Sequence, residues 1–148
     1  MLNEIIEKNQ NKIEKDLQEI EGIQSIDFID IFPESEEHRK QLDDEVSKIG
    51  KLIDSTEKGD FYLLNMPIKT KWGDLQFLKI RFFDESRLSY EAASDFAVEN
   101  WEKLKQKVDK DERFSYVKRP KWEAIEFKTK DSLVYFLNPL VTSVYGIK

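Results

Sequence analysis

Leu78, Ile80 and Phe82 alternate with Lys79 and Arg81 in the stretch from Leu75 to Phe83. A period of two belongs to a β-strand, because successive side chains point to opposite faces. One face of this strand is apolar and the other carries cations. That pattern requires a sheet with one buried face and one partly wet face. The run Phe61 to Ile68 supplies a partner, and Trp72-Gly73-Asp74 marks the hairpin turn between the two arms. Pro67 fits an edge or a bulge, since it has no N–H to give to a ladder.

Similar patterns recur along the chain. Ile23 to Phe32 is rich in β-branched and aromatic residues and stops at Pro33. Phe114 to Val117, Trp122 to Thr129 and Ser132 to Leu137 predict three more strands, the last two joined tightly at Lys130-Asp131. Asn138-Pro139 breaks the final run. Helical spacing appears in three places. Leu2, Ile6, Ile13, Leu17 and Ile20 form one stripe ending at Gly22. Ser35 is an N-cap candidate, followed by Glu36 and Glu37 in the first turn and by the stripe Leu42, Val46, Ile49 and Ile53. Ala93, Ala97, Trp101, Leu104 and Val108 predict a third helix from Tyr90 to about Val108, capped by Ser89.

The predicted order is one helix, then β-α-β-β-α-β, then two strands. It belongs to the α+β class: an antiparallel sheet with helices packed on one face. The central elements match the split βαβ arrangement of ferredoxin-like sandwiches, with an added N-terminal helix and a C-terminal β-hairpin. One domain over residues 1–148 is expected, divided into the helix 1–22, a βαββαβ-like core 23–117 and the C-terminal strands and tail 118–148. No internal repeat, low-complexity tract or Pro/Gly-rich linker interrupts it.

Charged residues make up 36% of the chain and aromatics 12%. A disordered chain of that charge would be poor in aromatics, so a packed core is expected. Cysteine is absent, which excludes disulfides and thiolate chemistry and suits a reducing compartment. The N-terminus lacks a signal-peptide pattern and the apolar runs are too short for a bilayer, so a cytoplasmic location is expected. The net charge of −6 is uneven: residues 1–59 carry −8, whereas 103–130 carry +5. If the fold keeps those segments apart, the molecule is an electrostatic dipole. Its acidity disfavours nucleic acid and favours a basic partner.

Several familiar chemistries are missing. Gly22, Gly50, Gly59, Gly73 and Gly146 never cluster, so no phosphate loop or dinucleotide fingerprint exists. One histidine and no cysteine argue against zinc, and no cofactor is expected. His38 sits in the polar run Glu36-Glu37-His38-Arg39-Lys40 with no nucleophile to activate. Arg81, Asp84, Glu85 and Arg87 form either a salt-bridge network or a polar pocket.

Glu126 and Lys128 are two apart and so face one side of a strand. Over Ala124 to Lys128 the segment resembles the Glu-x-Lys element of Mg-dependent nucleases of the PD-(D/E)xK type. That resemblance implies a metal-binding Glu126 and a water-positioning Lys128. It departs from the family in two ways: the preceding strand offers no aspartate, and a strand rather than a helix follows.

Lys118, Arg119 and Lys121 beside Trp122 could grip a phosphate, a base or an acidic patch. Trp72, at a hairpin tip, could anchor a partner. With no nucleophile–base pair in view, the leading expectation is a small bacterial or phage accessory protein that binds another protein. Immunity proteins, inhibitors and regulators are of this kind. The balance leans away from an enzyme without deciding the point; the protein would avoid membranes and could form a homodimer. The alternatives are the Mg-dependent phosphodiesterase using Glu126 and Lys128, and a small-molecule-binding sensor domain.

Overall fold

The computed structural model describes residues 1–87 and 89–146. Its elements are α1 (Leu2–Leu17), β1 (Ile23–Ile31), α2 (Glu36–Ser47), β2 (Gly50–Ser55), β3 (Gly59–Thr70), β4 (Gly73–Arg81), β5 (Ala92–Val98), α3 (Trp101–Lys105), β6 (Phe114–Lys118), β7 (Glu123–Lys128) and β8 (Leu133–Asn138). Short 3-10 turns at Glu85–Arg87, Gln106–Asp109 and Val141–Tyr145 complete it. The fold is α+β, as expected.

All eight strands join one sheet in the order β2-β3-β4-β1-β5-β8-β7-β6. The sheet is mixed: β1 runs parallel to β4 and β5 parallel to β8, while the other neighbours are antiparallel. This corrects the wholly antiparallel sheet and the ferredoxin-like core. In their place stand two copies of one topology, β1-α2-β2-β3-β4 and β5-α3-β6-β7-β8. In each, the last strand returns beside the first and parallel to it. The repeat lies in the connectivity, which explains why no residue pattern repeats.

Two misread segments account for the difference. Residues 92–98 are strand β5, not helix. Ala93, Ala97 and Trp101 have helical spacing, but Ala92, Ser94 and Phe96 have strand spacing, and propensity is a weak prior beside tertiary pairing. The only helix there is α3, capped by Asn100, whose Oδ1 accepts from the Lys103 amide at 3.1 Å. The second misread segment follows α2, which ends at Ser47, so that Ile53 belongs to edge strand β2. Gly50 permits this pairing: a Cβ there would stand 2.6 Å from the Leu63 carbonyl oxygen.

Other expectations hold. β3 and β4 form the predicted hairpin, and Pro67 lies where their register slips, between Leu63 and Ile68. Ser35 Oγ accepts from the His38 amide at 3.0 Å, and His38 Nδ1 accepts from the Glu34 amide at 2.9 Å. Both groups therefore serve the helix start. Ser35→Ala is expected to cost about 1 kcal/mol of unfolding free energy, read from urea denaturation.

The helices share one face. Leu2, Ile6, Ile13 and Leu17 of α1, Leu42 and Val46 of α2 and Leu104 of α3 pack with Ile29, Ile31, Leu78, Ile80, Phe96, Ile125 and Phe136 of the sheet. The other face holds a separate apolar cluster of Phe28, Phe61, Phe77, Ala124 and Leu137. The C-terminal turn Val141–Tyr145 covers it. Tyr145 stacks on Phe77 at 6.0 Å and sits 5.5 Å from Phe61, while its hydroxyl donates to Asp54 Oδ2 at 2.9 Å. The tail is docked, as a hydrophobic chain end requires.

Candidate functional site on the inner face of the sheet

Sheet register lines up a belt of polar side chains on the face opposite the helices. Phe61 of β3 pairs with Lys79 of β4, and Lys79 pairs with Asp30 of β1. Across the centre, Phe28 pairs with Asp95 of β5, Asp95 with Tyr135 of β8, and Tyr135 with Glu126 of β7. Paired residues of neighbouring strands point to the same side. Two adjacent rows on this face therefore carry Lys79 with Asp30, and Asp95 with Tyr135 and Glu126, beside the apolar cluster under the C-terminal turn.

A flat eight-stranded sheet would hold its outer hairpins roughly 25–30 Å apart, at about 4.8 Å per strand. β2 and β6 are the two edge strands. Ile53 of β2 and Val117 of β6 nevertheless pack against one apolar cluster on this face. The sheet is therefore strongly curved, and the polar belt lies on its inner side.

The two aspartates of the belt are buried, and Lys79, Arg81 and Glu126 are half-buried. Asp30 and Asp95 are each 4% exposed. Arg81 Nη1 lies 3.6 Å from Asp30 Oδ1, an ion pair without a hydrogen bond. Asp95 Oδ1 has no hydrogen-bond partner either. Burial raises the Asp95 carboxyl well above the usual range, and the negative neighbours Asp30 and Asp27 add to this against Lys79 and Arg81. Asp30 is also raised by burial, with Lys79 and Arg81 opposing. Burial lowers the Lys79 ammonium, whose Nζ lies 4.9 Å from the centre of the Phe61 ring. The Tyr135 hydroxyl donates to Glu126 Oε2 at 2.9 Å, and burial together with that carboxylate raises its pKa. Asp27, at the covered end, holds the Thr142 hydroxyl and, at 3.4 Å, the Thr142 amide.

The residues singled out from sequence are scattered over this arrangement. Glu126 is half-buried in the belt. Lys128 is exposed, its Nζ 5.8 Å from the Tyr90 ring. They share a face as expected, but Glu126 is engaged by Tyr135. Among the described residues no three His, Cys, Asp or Glu side chains are grouped to hold a metal ion. Trp72 is half-buried on the helical side, 5.3 Å from Phe96. Trp122 packs on the inner apolar cluster, while Lys118, Arg119 and Lys121 are exposed. Arg81 and Arg87 were noticed as a polar group. Asp30, Lys79 and Asp95 were not. Their signal was present for Asp30: Ile-Asp-Phe-Ile-Asp-Ile sets two carboxylates inside an apolar strand.

The expected charge dipole is also corrected. Lys103 pairs with Glu21 at 3.2 Å and Arg113 with Glu19 at 2.5 Å. The fold thus brings the basic stretch onto the acidic end of the N-terminal segment.

Depressions of about 250 to 560 Å³ surround α1 and the residues that follow it. They are lined by solvated groups such as Lys8 and Glu91, which already pair at 2.7 Å. No helix among the described residues is long and apolar enough to cross a membrane.

No family model matches the chain, and no curated protein matches it. Among solved structures it is similar to a structural-genomics protein designated EC4020, with a TM-score of 0.69 and 13% identity over 92% of this chain and 86% of that one. A second is a glyoxalase/bleomycin resistance protein/dioxygenase superfamily member from Vibrio splendidus 12B01, at a TM-score of 0.47 and 13% identity over 74% and 95% of the two chains. Charge is spent inside a curved sheet, and both tryptophans proposed as anchors are half-buried in packing. These findings overturn the expectation of a protein-binding accessory module. At this identity the first likeness shows the fold alone.

Proposed function

We propose that this chain is a small-molecule-binding domain whose ligand lies on the inner face of the sheet, against Lys79, Asp30, Asp95 and Tyr135. The observation that carries this reading is the buried, unpartnered carboxylate oxygen of Asp95 near a half-buried lysine, Lys79. Burying charge without hydrogen bonds costs several kcal/mol, and folds keep such groups mainly where they do chemistry or binding. The charges lining the clefts around α1 are exposed or paired, as Lys8 is with Glu91. Tyr135, half-buried in the same belt, supplies flat apolar surface, the usual complement to a few fixed polar groups in a ligand site.

Amide chemical-shift mapping with mixtures of small polar metabolites tests the proposal. Shifts are expected at Asp30, Lys79, Asp95 and Tyr135. Lys79→Met is expected to weaken the responding compound by about tenfold or more, equivalent to about 1.4 kcal/mol. Shifts confined to the α1 clefts, or an unaltered affinity in Lys79→Met, would overturn it.

A further inference from the structure

Trp72 is expected from sequence to anchor a partner, and the inner face makes no use of it. Its half-buried indole lines a cleft of about 400 Å³ between α1 and the β3–β4 hairpin. This wall is fixed from behind. The Trp72 carbonyl accepts from the Ile26 amide at 2.9 Å, its own amide donates to Thr70 Oγ1 at 3.1 Å, and its ring lies 5.3 Å from Phe96. Ile68 of β3 and Ile6 of α1 add apolar surface, and Gln10 of α1 supplies a polar group. Both hydrogens of the Gln10 amide are committed: Nε2 donates to Asn9 Oδ1 at 3.1 Å and to Ser94 Oγ at 3.3 Å. Ser94 is fully buried, and its hydroxyl donates to the same Asn9 oxygen at 2.5 Å. Turning the Gln10 amide over would set its oxygen against Asn9 Oδ1, acceptor against acceptor. What remains is Gln10 Oε1, a buried acceptor with no hydrogen-bond partner among the described residues. An acceptor in that state is costly, and a donor brought to it removes the cost. The charges around it need no ligand: Lys71 pairs with Glu14, Lys69 pairs with Asp74 at 3.0 Å, and Glu7 is exposed.

We infer that this cleft binds a neutral, flat nitrogen heterocycle that stacks on Trp72 and donates an N–H to Gln10 Oε1. The indole selects a planar ring with a π face. The Gln10 amide selects a donor, because its own donors are taken. The matched and solvated charges at the rim select no charge of either sign. Nucleobases, indoles and benzimidazoles all meet these terms. The cleft lies on the helical side of the sheet and the polar belt on the other, so the two sites stand independently.

The test is an amide chemical-shift titration of the full chain near neutral pH with benzimidazole and with benzoxazole. The two share one bicyclic shape, and benzoxazole carries an oxygen in place of the N–H. Benzimidazole is expected to shift the Gln10, Ile68 and Trp72 amides and to bind about tenfold or more tightly than benzoxazole. Gln10→Met keeps the side-chain length and removes the acceptor. It is expected to bring benzimidazole down to the benzoxazole level while changing benzoxazole by less than about twofold. Trp72→Leu is expected to weaken both compounds by about fivefold or more, through lost stacking. Circular dichroism checks that each variant folds, and the comparison of the two compounds on the wild-type chain decides the question without either variant. No shift at Gln10 and Trp72 with about 10 mM benzimidazole would overturn the inference. Equal affinity for the two compounds would overturn it as well, because the oxygen would then need no donor from a ligand. Shifts at Asp95 and Tyr135 without any at Gln10 or Trp72 reject the cleft and leave the inner-face reading standing.

Discussion

Truncating Phe61 to alanine is expected to lower the unfolding free energy by about 3–5 kcal/mol, the range for a large aromatic removed from a core. Phe61 is 1% exposed and sits where three parts of the chain meet. Its ring is 5.0 Å from Phe28 of the central strand, 5.5 Å from Tyr145 of the C-terminal turn and 4.9 Å from the Lys79 ammonium. Removal leaves a cavity that a curved sheet, fixed by hydrogen bonds on both sides, closes poorly. It also strips the tail of its main support, so exchange of the Thr142 amide should accelerate well beyond what the global loss explains. Urea denaturation and hydrogen exchange measure the two effects. A loss below about 1 kcal/mol, typical of a surface change, would show that the inner cluster is not a true core.

Replacing Asp95 by asparagine is expected to stabilise the fold, and increasingly so as pH rises. Burial holds the Asp95 carboxyl above its ordinary value, so folding favours the protonated form. The stability tied to that proton is fully present below the unfolded carboxylate pKa. It is lost as pH climbs through the raised folded value. Asparagine has nearly the same shape and does not titrate. The two proteins should therefore be close in stability near pH 4 and diverge toward pH 8, the variant ahead by about 1–3 kcal/mol, the cost of an unsatisfied buried group. Denaturation at several pH values gives the comparison. A gap that stays constant with pH would mean that Asp95 is compensated in a way the geometry does not show. A wild type that keeps a destabilising carboxylate follows the usual trade of stability against function, and it agrees with a binding role for Asp95.

The sequence carried the local elements well where the signals were chemical. Ser35 as a cap, the turn near Trp72 and Gly73, the bulge at Pro67 and the strands β6 to β8 were all legible, because each depends on residues within a few positions. It failed where two periodicities overlapped. Ala92 to Val98 satisfies helix and strand spacing alike, and only its partners β1 and β8 choose between them. The same error hid Asp95, since a helix reading aims that side chain away from β1. Lys79 and Arg81 were seen as the wet face of a strand, but not as one wall of an enclosed belt.

Composition and pattern alone determined that this chain folds without disulfides into an α+β structure, with a charged face on at least one strand. Tertiary structure decided the rest. It set β4 beside β1 and β8 beside β5, doubled one topology into a single sheet and curved that sheet until both edge strands packed on one apolar cluster. Which face is apolar follows from the period of the side chains, a local property. Which charges meet on the other face depends on strand order and curvature, and these arise from pairings between residues far apart in the chain. The cationic alternation of Lys79 and Arg81 was therefore visible from the start, while Asp30 and Asp95 joined it only once the strands had paired.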